Sequence, residues 1–131
     1  MNGEKGSFRF RREEHLKGRK EIQDVFGNGK RFGCKGAKLF VLKNDLPHNR
    51  ICFTFPRSFG NAVSRNRARR LGREAFRLLK MRLNGGYDLI LLIYSESGSD
   101  HSQTVRKVTL ADRAKQLEHL FLKAGLFSSS D

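Results

Sequence analysis

Asn61-Ala-Val-Ser-Arg-Asn-Arg-Ala-Arg-Arg-Leu-Gly-Arg-Glu-Ala-Phe-Arg-Leu-Leu-Lys-Met-Arg-Leu83 contains no proline and a single interior glycine. Most of its residues are good helix formers, so it reads as one long helix. At about 100° per residue, Ala68, Leu71, Ala75, Leu78 and Leu79 fall on one side, with Gly72 and Phe76 at the margin. Asn66, Arg69, Arg70, Arg73, Arg77 and Lys80 fall on the other. One face packs and the other presents charge.

The charged face is poorly arranged for a helix that only has to stay in solution. Between Arg65 and Arg82 there are eight basic side chains and one acid, Glu74, which is half of the chain's net charge of +14. Arg65, Arg69, Arg73 and Arg77 follow one another at i,i+4, where like charges repel by roughly 0.2–0.5 kcal/mol per pair. Arg65 and Arg67 stand in the first turns, where the helix dipole favours acids. Such a helix is built to meet a polyanion, and the guanidinium fork suits phosphate.

The rest of the chain supplies a scaffold. Gly18 to Phe26 reads as a short helix with Ile22, Val25 and Phe26 on a narrow apolar edge, ended by Gly27-Asn-Gly29. Lys30 to Lys43 has strand character, as two strands or one with a bulge at Gly36. Asn44 to Asn49 is a turn, and Arg50 to Phe55 is the next strand. Pro56 to Gly60 breaks it, with Asn61 or Ser64 as the N-cap of the long helix. After Asn84-Gly-Gly86, Tyr87 to Tyr94 is almost continuously apolar, as expected of a strand buried on both faces. Asp88 at its start reads as a turn or capping acid, and Ser95 to Gln103 as a polar loop. Thr109 and Asp112 form a capping box for a last helix that points Leu110, Ala114, Leu117, Leu120, Phe121 and Ala124 inward and stops at Gly125.

The order αβββαβα predicts an α+β fold, a two-layer sandwich of one roughly four-stranded sheet packed with three helices. At 131 residues the chain forms one domain over 1–127, with a mobile basic arm at 1–15 and an unstructured tail at 128–131. A pI near 10.6 is the footprint of a nucleic-acid binder. No stretch approaches the ~20 apolar residues of a membrane span and no signal-peptide core is present, so a soluble, cytoplasmic protein is expected. Cys34 and Cys52 read as free thiols, and the four histidines have no ligand spacing. No paired carboxylates, Walker loop or nucleophile triad provides for catalysis by the polypeptide, and no small-molecule site suggests itself.

Gly60-Asn61-Ala62-Val63-Ser64-Arg65-Asn66-Arg67-Ala68-Arg69-Arg70, followed by Arg73-Glu74-Ala75-Phe76, closely resembles the signature of the bacterial ribonuclease P protein subunit. The Leu16 to Phe26 stretch and the order of elements through about Phe127 match as well. The resemblance implies a left-handed β-α-β crossover where physics alone favours a right-handed one. It implies an auxiliary subunit that binds the catalytic RNA subunit and precursor tRNA. The RNA subunit then hydrolyses the phosphodiester with Mg²⁺ that it mainly binds itself. By position, Asn61, Arg65, Asn66, Arg67, Arg69, Arg70 and Arg73 would bind the RNA subunit. Ile22, Phe26 and Phe40, with Arg31 nearby and Arg57 before the long helix, would line a cleft for the single-stranded 5′ leader. The same three apolar residues also read as plain core packing, because periodicity does not reveal a half-exposed ring. Where the family often carries two lysines, this chain has Pro56-Arg57-Ser58-Phe59, and Ile22 replaces an aromatic ring, so one charge and one stacking surface are reduced. The alternative is a ribosomal or other structural RNA-binding protein. A DNA-binding helix-turn-helix lacks its second short helix.

Overall fold

A computed structural model describes residues 10–94 and 107–128. The loop at Ser95 to Gln103, residues 1–9 of the arm and residues 129–131 of the tail lie outside those residues, whereas Ser128, expected in the unstructured tail, donates its amide to the Arg82 carbonyl at 2.8 Å. The expected element order holds: α1 (Arg19–Asn28), β1 (Lys30–Cys34), β2 (Ala37–Lys43), β3 (Arg50–Thr54), α2 (Ala62–Leu79), β4 (Tyr87–Ile93) and α3 (Leu110–Lys123). The run from Lys30 to Lys43 is two strands joined at Gly36, whose φ of 84° suits a residue without a Cβ. Residues 10–15, expected within the mobile arm, are held in place. A 3-10 turn covers Arg12–Glu14, and His15 and Leu16 run beside β3, with the Leu16 amide donating to the Ile51 carbonyl at 3.0 Å.

The strands lie in the order β1-β2-β4-β3, with β3 parallel to β4 and the other pairs antiparallel. The apolar run of β4 is thereby explained. It sits between β2 and β3, and Leu89, Ile90, Leu91 and Ile93 have no exposed surface. Alternation divides the sheet into two faces. Leu39, Val41, Ile51, Phe53, Leu89, Leu91 and Ile93 pack with Ala68, Ala75, Phe76 and Leu79 of α2 and with Leu117, Leu120 and Phe121 of α3. On the opposite face Phe40 and Ile90 pack with Leu16 and with Val25 of α1.

Three local expectations are corrected. The buried stripe of α2 is Ala68, Gly72, Ala75, Phe76 and Leu79, whereas Leu78 is 52% exposed. Gly72 belongs at the centre because a Cβ there would stand 2.6 Å from the Phe53 ring, so the missing side chain sets how closely helix and sheet approach. Lys80 leaves the charged face for a 3-10 turn, Lys80–Arg82, and forms a largely buried ion pair with Glu14 at 2.9 Å. Asp88 is no turn acid. Buried in β4, it accepts Arg50 Nε at 2.8 Å and Arg50 Nη2 at 2.7 Å, and Asn44 Nδ2 at 2.7 Å.

Candidate nucleic-acid interface

Asn61 is the cap of α2, its side-chain oxygen accepting the Ser64 amide at 3.0 Å. The arginines that follow divide by what they already hold. Arg65 lies near the buried stripe, and its Nη2 donates to the carbonyls of Pro56 at 3.2 Å and Arg57 at 3.0 Å. It braces the turn that contains Arg57 and shows less of itself to solvent than a free contact residue would. Arg67, on the α3 side, donates to the Val108 carbonyl at 2.9 Å and fixes the approach to that helix. Arg69 donates to the Asn66 side chain at 2.9 Å and places its guanidinium 5.3 Å from the centre of the Phe55 ring. Arg70 is exposed and Arg73 half-buried. Neither has a hydrogen-bond or acidic partner among the described residues.

The helix is electrostatically two-sided along its length. Toward its C-terminal end, Arg77 pairs with Glu74 at 2.9 Å and, past the helix, Lys80 pairs with Glu14 and Arg82 with Glu118 at 3.2 Å. In the first three turns no carboxylate pairs with Arg65, Arg67, Arg69, Arg70 or Arg73 among the described residues. The surplus positive charge is therefore concentrated at the N-terminal half, where the helix dipole adds to it.

The α1 face of the sheet forms a second surface. Phe26 is 40% exposed and meets Phe40 edge-on, with ring centres 4.8 Å apart, whereas Phe40 is 6% exposed. The expected cleft aromatics are thus unequal. Phe26 offers a ring to solvent, Phe40 supports it from the core, and Ile22 is half-buried against the same cluster. Arg31 is exposed and pairs with Phe40 across β1 and β2, which puts both on one face. The neighbouring row, Lys38, Leu92 and Thr54, is half-buried on that face. Sequence reading did not single out Lys38 or Thr54, although strand alternation is a signal that could have done so.

Arg113 was also missed. It is buried in α3, donating to Gln116, whose amide donates in turn to the Lys35 carbonyl at 3.0 Å. Burial pushes the Cys52 thiol up to about 11 and also raises Cys34, so neither is a ready nucleophile. Among the described residues no three His, Cys, Asp or Glu side chains group together as metal ligands, and no helix is long and apolar enough to cross a membrane.

A profile of the family described as Ribonuclease P matches residues 10–125. The chain is 44% identical over 77 residues to the ribonuclease P protein component of Natranaerobius thermophilus, covering 59% of this chain and 67% of that protein. It is 34% identical to the ribonuclease P protein component of Syntrophobacter fumaroxidans, covering 90% of this chain and 93% of that one. The Staphylococcus aureus RNase P protein structure superposes with a TM-score of 0.71 at 22% identity, covering 88% of this chain and 98% of that one.

Proposed function

The chain belongs to the ribonuclease P protein family, and on that premise we propose that it is the protein subunit of a cytoplasmic ribonuclease P. The first three turns of α2 bind the backbone of the catalytic RNA subunit. The α1 face of the sheet holds the single-stranded 5′ leader of precursor tRNA. The RNA subunit carries out the hydrolysis that frees the mature 5′ end, with Mg²⁺ bound mainly by RNA. The polypeptide contributes affinity and register, which is what phosphate contacts supply. The observation that carries this reading is the row of arginines in the first half of α2 with no acidic partner among the described residues.

Reconstitution tests it. Added to a bacterial ribonuclease P RNA at low Mg²⁺, the protein should stimulate removal of the 5′ leader from precursor tRNA, and should cleave nothing without the RNA. Absence of stimulation would leave a structural RNA-binding role, and cleavage by the protein alone would refute an auxiliary one.

The leader surface has its own test. Phe26→Ala should weaken binding of leader-bearing precursor about tenfold while leaving mature tRNA nearly unaffected, because a stacked base contributes ~1–3 kcal/mol. Equal losses for both RNAs would remove Phe26 from the leader site.

A further inference from the structure

Between the 10–16 segment, β3 and the middle of α2, a cavity of about 170 Å³ opens. Its polar lining includes His15, Arg69 and Arg73, and its apolar wall includes Phe10 and Ile51. His15 is well fixed. Its backbone bridges to Ile51, its amide donates to the Arg12 carbonyl at 3.1 Å, and the Phe10 ring lies 4.3 Å from the imidazole, centre to centre. His15 and two arginines, Arg69 and Arg73, therefore border one small space. The acid nearest in sequence, Glu14, is engaged with Lys80.

We propose that His15, Arg69 and Arg73 form a pocket for one phosphate group, and that the imidazole takes up a proton as the phosphate enters. The pocket rests on the RNA-binding reading above and adds to it a particular group, a phosphate of the RNA backbone, and a dependence on pH. The groups facing the imidazole set the sign. Burial, then Arg73, then Lys17 hold His15 below its ordinary value of 6.5, and Glu14 opposes them weakly. Arg69 borders the same cavity while its guanidinium donates to Asn66. An entering anion turns the local field from positive to negative and raises the imidazole's pKa. Binding then draws a proton, so affinity rises as pH falls through the interval between the free and bound values.

Two measurements on the full chain decide the matter. The first follows the His15 ring resonances against pH, with and without inorganic sulfate, which keeps its charge across the range. The titration midpoint should lie below 6.5 without sulfate and move upward with it. A midpoint indifferent to sulfate overturns the pocket. The second measures affinity for the RNA subunit from mildly alkaline to mildly acidic pH. The wild-type chain should gain about five- to tenfold, the effect of somewhat under one pKa unit. His15→Gln should lose that slope, and His15→Arg should bind tightly without one. A slope shared by wild type and His15→Gln, together with a sulfate-responsive midpoint, keeps the phosphate pocket and assigns it to a free anion rather than RNA. Absence of RNA binding at every pH would sink the proposed function instead, and the sulfate titration would still decide the pocket.

Discussion

Replacing Arg70 and Arg73 together with alanine is expected to weaken binding of the RNA subunit about a hundredfold. Charge-assisted contacts contribute roughly 1.5–3 kcal/mol each, and each ~1.4 kcal/mol is a factor of ten in affinity. The slope of log affinity against log salt should fall by about two, since each phosphate contact accounts for close to one. These two residues are the clean choice because the described residues give neither a partner to lose. The thermal midpoint should therefore hold while affinity drops. Arg65→Ala makes a poorer test, because it also releases the carbonyls of Pro56 and Arg57. If the double variant kept the full salt slope, this face of α2 would not be touching phosphate.

Asp88→Ala should produce the largest loss of stability, about 3 kcal/mol, read as a lower denaturant midpoint with an unchanged slope. The carboxylate is the shared acceptor for Arg50 and Asn44, and its removal leaves the Arg50 guanidinium without it beside the central strand and Asn44 with only the long bond to the His48 carbonyl at 3.4 Å. The figure sits at the low end for a broken buried pair because the Arg50 side chain is 25% exposed and that of Asp88 8%. A loss below about 1 kcal/mol would mean that water replaces the carboxylate with little penalty.

Much of this architecture is legible in the chain. The uninterrupted periodicity of α2, the unbroken apolar run of β4 and the Thr109–Asp112 capping box each determine an element by local chemistry, and all three stand as expected. What local pattern does not carry is partnership across the fold. Asp88 reads as a loop acid until the parallel pairing of β3 with β4 sets Arg50 opposite it. Lys80 reads as one more surface cation until the N-terminal segment brings Glu14 to it. Leu78 fits a generic apolar stripe, but the contact between Gly72 and Phe53 rotates the helix so that Leu78 turns outward. At the candidate interface the sequence identifies the charge, whereas packing decides which arginines are already engaged. Phe26 and Phe40 are alike in sequence, and only the cover of α1 makes one ring a surface and the other a support.

The place of β4 has a consequence for how the chain matures. Strands β2 and β3 do not pair with each other; each is joined through β4, the last of the four strands to be made. Until Tyr87–Ile93 has left the ribosome, β3 has only the short His15–Leu16 stretch to pair with. The arginine-rich helix meanwhile has half a floor to settle on. Closure must wait for this one insertion, so the sheet is expected to form in a single step once β4 has emerged rather than piece by piece.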